Sequence, residues 1–311
     1  MLHVSEKYLY LKVDNLQKMS EHHHENTGRN LVITVFLNGI ITIGQFAGGI
    51  ISGSLALLSD ALHNLSDVIS VILAYFAHRI GMRPQSQKST FGYKRAEILA
   101  AFINAISLIA ISVYLLVEAG KRFYNPKEVD YRWMLGLGIL GFFANGFSVL
   151  ILHNNREENL NIRAAYLHLI GDAMTSLAVI VGAVCIWLFQ VYWIDPLVTV
   201  LISIYIFVHT YKILKESVGI LMQFSPPEID QQEVIQVLQE IAGISSVHHI
   251  HIWQLADHQT YFEAHLVLAE NIKVSETNEI TEKAKRLLNS RFDIIHTTFQ
   301  YEYIKCEDNN C

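Results

Sequence analysis

Two apolar stretches of this chain carry the same pair of ionisable residues. A histidine precedes an aspartate by four positions in both, as His63 and Asp67 and again as His168 and Asp172. This spacing puts the two side chains of each pair on one helix face, about 6 Å apart. Two such helices facing each other would offer two imidazoles and two carboxylates, which is the ligand number of a tetrahedral Zn²⁺ site.

The alternative interpretation of these four residues is interhelical packing or hydrogen bonding. An ionisable side chain deep in a membrane span costs about 2.5–3.5 kcal/mol even on the insertion scale, so such residues are functional by default. The duplication of the pattern therefore favours a metal site. Asp60, close to a helix end, is predicted to be a vestibule or cap residue, and interhelical hydrogen bonds are expected for Asn38, Gln45, Asn104 and Asn145.

The helices that must position these residues are visible as six long apolar stretches. Each is long enough to cross ~30 Å of hydrocarbon, which takes about 20 helical residues. They lie near residues 31–51, 55–78, 97–118, 133–153, 164–190 and 195–214. With the N-terminus inside, the inner segments hold 13 Lys and Arg and the outer loops hold 4. This excess predicts that both termini are cytoplasmic.

A different pattern begins after Pro226 and Pro227. It predicts a helix, two strands, a helix and a last strand, which form a small cytoplasmic α+β domain. The predicted elements are 228–242, 246–256, 260–269, 275–291 and 294–303. The resulting segments are a cytoplasmic tail with a histidine cluster (1–30), a six-helix transmembrane domain (31–215), a cytoplasmic domain (226–303) and a cysteine-containing tail (304–311).

Strand alternation predicts which histidines of the cytoplasmic domain point away from its core. Phe262, Ala264, Leu266 and Leu268 form the expected core face of the second strand, so His265 points the other way. In the last strand, the residues expected to face the core are Ile295, Phe299 and Tyr301, so His296 also points away from the core. Alternation does not choose between the adjacent His248 and His249.

The two ends of the chain offer further candidate ligands. Thiolate and imidazole both suit Zn²⁺. The alternative is a pair of flexible tails that chelate metal weakly. The residues concerned are His22, His23, His24, Cys306 and Cys311.

Four separated motifs give the chain a resemblance to the cation diffusion facilitators, and specifically to their zinc, cadmium and cobalt efflux branch. They occur in order at 54–67, 90–98, 161–168 and 247–253. The resemblance implies a homodimeric membrane protein with a six-helix bundle and a ferredoxin-like αββαβ cytoplasmic domain. It also implies export of Zn²⁺ or similar divalent cations, usually in exchange for protons, with 31–215 as the transport domain and 226–303 as a dimerisation and regulatory domain. The membrane-site motif of the family maps onto His63, Asp67, His168 and Asp172.

The same resemblance selects residues in the cytoplasmic domain. It assigns His248, His265 and His296 to a possible cytoplasmic metal site near the dimer contact, with surface and interface histidines as the alternative. Two further ligand positions of some relatives are Asn278 and Thr298 here, which speaks against a fully occupied two-metal cluster. His249 and His251 are expected to be dimer or core residues, and no metal site is expected in the loop 82–94.

Composition restricts the possible functions further. Charged residues are 17% of the chain, against about 25% in soluble proteins. The net charge is −6, and the chain lacks the basic footprint of a nucleic-acid binder. The two ligand pairs and the family resemblance together predict a Zn²⁺/H⁺ antiporter working by alternating access, not an enzyme, in a bacterial inner membrane. The alternatives are a membrane-embedded metal sensor, an exporter that prefers Cd²⁺ or Co²⁺, and an intramembrane metalloenzyme, which lacks a separate general base here.

Overall fold

The computed structural model describes residues 38–153, 160–257 and 259–303. Residues 38–52 are helical and form the described part of α1. The long helices that follow are α2 (Leu55–Gly81), α3 (Ala96–Tyr124), α4 (Tyr131–His153), α5 (Leu160–Phe189) and α6 (Ile194–Leu221). These five helices are long and apolar enough to cross a membrane. The predicted membrane bundle is therefore confirmed, with the start of its first span outside the described residues.

The chain divides into two compact units. Among the described residues, those up to Ile69 together with those of Leu108–Val208 form the first, and Ser70–Ser107 together with those from His209 onward form the second. The first unit has an apolar core that includes Leu57, Met134 and Val179. Many large apolar side chains of its helices are nevertheless exposed, among them Phe143, Phe147, Leu150 and Trp187. Apolar side chains on the outside of long helices are what contact with lipid requires.

The N-terminal end of α2 is fixed by a buried carboxylate from α6. Asp195 is fully buried, and its Oδ2 accepts a hydrogen bond from the backbone N–H of Leu55 at 2.9 Å. Its Oδ1 accepts from the backbone N–H of Ala56 at 3.1 Å and from the hydroxyl of Ser54 at 2.5 Å. The guanidinium of Arg122 lies 3.8 Å away. Because α2 carries His63 and Asp67, this cap sets the position of half of the candidate site.

Replacement of Asp195 by alanine should therefore cost much more stability than loss of an exposed cap. Loss of the buried carboxylate leaves two helix N–H groups unsatisfied and removes an acidic partner of Arg122, which together cost about 3–5 kcal/mol. The matched control is Asp130→Ala, since Asp130 is exposed and accepts from the Arg132 N–H at 3.0 Å; that change should cost about 1 kcal/mol. Unfolding curves of the two variants in detergent measure the difference. Equal losses would contradict the capping role of Asp195.

The cytoplasmic α+β domain follows in the second unit. Its elements are α7 (Gln231–Gln239), β1 (Ile244–Ala256), β2 (Gln259–Leu268), α8 (Thr277–Phe292) and β3 (Ile294–Glu302). The sheet order is β1-β2-β3. β1 pairs with β2 in antiparallel orientation, and β2 pairs with β3 in parallel orientation. Phe262, Leu266, Leu238 and Leu288 are buried between the sheet and the two helices. The predicted αββαβ order is confirmed.

The prediction that Ile295 of β3 lies in the core is wrong. Ile295 is 50% exposed, whereas its neighbour Ile294 is 1% exposed. Thr260 pairs with Ile294 and Tyr261 pairs with His296, so Ile295 is an extra residue in the strand. Such a bulge shifts the alternation by one position. Phe299, beyond the bulge, packs against the core as expected.

Candidate metal centre

The two histidine–aspartate pairs of α2 and α5 face each other in the first unit. Nε2 of His63 lies 3.3 Å from Oδ1 of Asp172 on the other helix and 3.7 Å from Oδ2 of Asp67 on its own. Nε2 of His168 lies 3.3 Å from Oδ2 of Asp67 and 3.5 Å from Oδ2 of Asp172. Each imidazole nitrogen is therefore flanked by one carboxylate from each helix.

These nitrogen–oxygen distances are close to the ligand separations in a tetrahedral metal site. One ligand atom each of His63, His168 and Asp172 lies within 4.8 Å of the others, and Asp67 lies beside this group of three. Ligand atoms about 2.0–2.1 Å from a tetrahedral Zn²⁺ are separated from one another by about 3.3 Å. Oδ1 of Asp172 is buried and, within the described part of the chain, accepts no hydrogen bond of good geometry, although Nε2 of His63 is 3.3 Å away. Lone pairs that aim at a common point produce short contacts of this kind. Imidazole and carboxylate together suit Zn²⁺ better than Mg²⁺ or Ca²⁺, which prefer oxygen alone.

The four side chains differ in their exposure. The side chains of His63 and Asp172 are 7% and 6% exposed, whereas those of Asp67 and His168 are 28% and 41% exposed. The side of the site formed by Asp67 and His168 is therefore less buried than the side formed by His63 and Asp172.

Asp60 connects three helices next to this site. It is fully buried, and its carboxylate accepts hydrogen bonds from Thr175 at 2.7 Å and Ser176 at 3.0 Å, both on α5. Gln45 on α1 donates a third at 3.1 Å. The expectation of a vestibule or cap residue was wrong, because Ser54 and Asp195 cap α2 and Asp60 faces α5 one turn before His63. The expected interhelical role of Gln45 is confirmed.

A tyrosine that sequence reasoning missed approaches the site from α6. A Cβ atom on Gly171 would collide with the hydroxyl oxygen of Tyr205. Gly171 directly precedes Asp172, so the missing side chain lets the Tyr205 hydroxyl reach the backbone of α5 between the two candidate ligands. The glycine inside the His168–Asp172 motif was the available signal, since glycine within a helix allows close approach of a neighbour.

The cytoplasmic domain contains a second group of potential ligands. Nδ1 of His265 lies 2.7 Å from Oε1 of Glu302, and Nε2 of His248 lies 3.3 Å from Oε2 of the same carboxylate. One ligand atom from each of the three residues lies within 4.8 Å of the others. Sequence reasoning missed Glu302, although strand alternation puts it on the face of β3 that carries His296.

His296 lies on that face but at some distance along the strand. It pairs with Tyr261, and the two rings are 4.7 Å apart, whereas His265 pairs with Gln300. Tyr261 also contacts Phe91 of the loop 82–94, with ring centroids 5.7 Å apart. His296 thus belongs to an aromatic cluster and is outside the compact group of His248, His265 and Glu302. The tail candidates His22, His23, His24, Cys306 and Cys311 lie outside the described residues.

Comparison with known proteins agrees with this architecture. Residues 31–222 match the cation efflux transmembrane domain, and residues 226–304 match the cytoplasmic domain of cation efflux proteins. A cadmium, cobalt and zinc/H⁺-K⁺ antiporter of Bacillus velezensis is 38% identical over 91% of this chain and 92% of its own length. The metal cation efflux system protein CzcD of Cupriavidus metallidurans is 35% identical over 92% of this chain and 91% of its own. The zinc transporter ZitB of Pectobacterium atrosepticum is 33% identical over 93% and 91%. The chain is therefore a multi-pass membrane protein that belongs to the cation efflux, or cation diffusion facilitator, family.

Proposed function

We propose that this protein exports divalent metal cations, with Zn²⁺ as the main substrate and protons as the exchanged ion. The observation that carries the proposal is the set of His63, Asp67, His168 and Asp172 on two membrane helices, in which each imidazole nitrogen lies 3.3–3.7 Å from a carboxylate oxygen of either helix. The names of two relatives, a cadmium, cobalt and zinc/H⁺-K⁺ antiporter and a zinc transporter, support the same substrate class.

The donor set accounts for exchange with protons. Metal binds to neutral imidazole and ionised carboxylate, so bound metal and bound protons compete for the same atoms. Two carboxylates balance the charge of one Zn²⁺. When the metal leaves, uncompensated carboxylates in a low-dielectric site are costly, and protons remove that cost. Alternating exposure of one site to the two sides of the membrane then couples metal export to proton entry.

Flux measurements test this proposal directly. Purified protein in proteoliposomes should take up Zn²⁺ when a pH gradient is imposed, and the lumen should lose protons as Zn²⁺ enters. Collapse of the gradient with a protonophore should slow the uptake. Zn²⁺ binding without flux would favour a membrane metal sensor. If Cd²⁺ or Co²⁺ is taken up faster than Zn²⁺, the protein is instead an exporter that prefers those ions. The name of the Bacillus relative supports this second candidate.

The proposed assembly is a homodimer in a bacterial inner membrane, with both termini in the cytoplasm. The proposed domains are 1–30, 31–215, 226–303 and 304–311. The excess of Lys and Arg in the inner segments supports the orientation. In this arrangement the protein acts as a transporter and not as an enzyme. We propose the two tails as weak metal chelators, through His22, His23, His24, Cys306 and Cys311.

A regulatory metal in the cytoplasmic domain is part of the proposal. The short contacts of Glu302 with His248 and His265 support these three residues as ligands of the regulatory metal. His296 would join them only after a rearrangement of the site. Glu302 is 12% exposed at its side chain and Oε2 has no hydrogen-bond partner of good geometry among the described residues.

Glu302→Gln should weaken metal binding to the cytoplasmic domain while keeping transport measurable. An amide replaces a charged ligand, so the affinity should fall by at least about tenfold. Equilibrium dialysis of the full chain measures the affinity, and proteoliposome flux measures transport. The control is Glu270→Gln, an exposed carboxylate just after β2. Complete loss of flux at normal expression would put Glu302 on the permeation route instead.

A further inference from the structure

An irregularity in β1 brings two more histidines to the ligand-bearing face of the cytoplasmic sheet. His248 pairs with His265, and His251 pairs with Glu263, so β1 has one residue more than β2 in this interval. His249 has a φ of 50°, in the left-handed region. Histidine is among the few residues that adopt this conformation with some frequency. The side chain of His249 consequently lies beside His251 and does not point into the core.

The rings of His249 and His251 are arranged like a pair of metal ligands. Their Nε2 atoms are 3.3 Å apart, and the ring planes are nearly perpendicular at 85°. Two nitrogens bound to one tetrahedral ion are separated by about 3.3 Å. Both residues are exposed, so water can complete the coordination. Because His249 and His251 are exposed, they are not core residues.

The surroundings of this pair are also suited to a cation. The ring of His249 lies 4.7 Å from the ring of His265, so the pair adjoins the group of His248, His265 and Glu302. Glu263 stands opposite His251 on β2. The cytoplasmic part of the chain, residues 226–311, holds 6 Lys and Arg against 14 Asp and Glu. A net negative domain attracts divalent cations to its surface.

We propose that His249 and His251 form a second, solvent-open site in the cytoplasmic domain for a divalent transition-metal ion. Two imidazole nitrogens bind the ion, and water fills its remaining positions. The site takes ions that prefer imidazole, such as Zn²⁺, Co²⁺ or Cu²⁺, and discriminates against Mg²⁺ and Ca²⁺. With only two protein ligands, it binds more weakly than the three-ligand group beside it. Its occupancy therefore follows the concentration of free ion at the domain surface.

Co²⁺ binding to the full chain in detergent tests this site without reference to transport. Co²⁺ is the probe because its visible absorption reports coordination geometry, whereas Zn²⁺ is d¹⁰. Equilibrium dialysis gives the number of ions bound. His251→Gln should bind about one Co²⁺ fewer per chain at saturation, with the loss confined to the weakest class. His249→Asn should have the same effect, and asparagine also tolerates the left-handed backbone.

Two measurements separate this result from misfolding. His153→Gln, at the exposed end of α4, removes an imidazole elsewhere and should leave the number of bound ions unchanged. Circular dichroism and gel filtration should match the wild type for all three variants. The proposal is overturned if His251→Gln and His249→Asn bind as many Co²⁺ ions as the wild type. The 3.3 Å contact would then be only a hydrogen bond between two histidines.

Discussion

Asp172→Asn should abolish Zn²⁺ transport while the protein stays folded. Asp172 is the buried carboxylate that contacts both imidazoles, at 3.3 Å from His63 and 3.5 Å from His168. Asparagine keeps the shape but removes the charge that balances the metal and that accepts a proton. Loss of a group that hydrogen-bonds a metal ligand costs about 10–100-fold in metal affinity, and loss of a ligand itself should exceed that range. We therefore expect flux at the background of empty proteoliposomes.

The control for this variant is another carboxylate on a membrane helix. Glu216 on α6 is exposed and lies 4.0 Å from Lys212. Glu216→Gln should transport at close to the wild-type rate, because an exposed ion pair contributes about 0–1 kcal/mol. Gel filtration and thermal unfolding should show both variants folded. Normal Zn²⁺/H⁺ exchange by Asp172→Asn would remove α5 from the transport site.

The second large effect concerns metal selectivity, where the two histidines should not be equivalent. His63→Asp replaces a nitrogen ligand by a shorter carboxylate that can supply two oxygens. Larger ions accept longer bonds and more oxygens, so Cd²⁺ and Mn²⁺ transport should rise relative to Zn²⁺ by about tenfold. His63 is 7% exposed at its side chain and His168 is 41% exposed. Water can replace a ligand at His168 but not at His63, so His168→Asp should change the ranking less.

Initial uptake rates of the wild type and the two histidine variants, side by side in a panel of metals, measure this difference. Zn²⁺ uptake by His63→Asp should remain above background, which keeps the ratio of rates defined. Equal changes in His63→Asp and His168→Asp would show that burial does not control selectivity. An unchanged ranking in both variants would place selectivity at the entrance to the site.

The local elements of this protein could be predicted because each leaves a pattern within a short segment. Membrane helices are uninterrupted apolar runs, and the strands of the cytoplasmic domain alternate between core and surface. The His63–Asp67 and His168–Asp172 pairs were found because a spacing of four places two residues on one helix face. The error at Ile295 arose because a bulge depends on how two strands pair, and one strand alone does not reveal it.

The neighbours of each site depended on contacts between distant residues. Asp195 caps α2 from 140 positions away, and Asp60 accepts from Thr175 at a separation of 115. Glu302 reaches the cytoplasmic ligand group because β3 pairs with β2. His249 reaches it because its own backbone is left-handed. The sequence by itself determined the six apolar helices, the αββαβ order and the two ligand pairs, because helix and strand periodicity are local. Only the tertiary structure decided the role of each buried carboxylate: Asp172 contacts the imidazoles, Asp195 caps a helix and Asp60 joins three helices. Burial and charge pairing arise only when separate elements pack together.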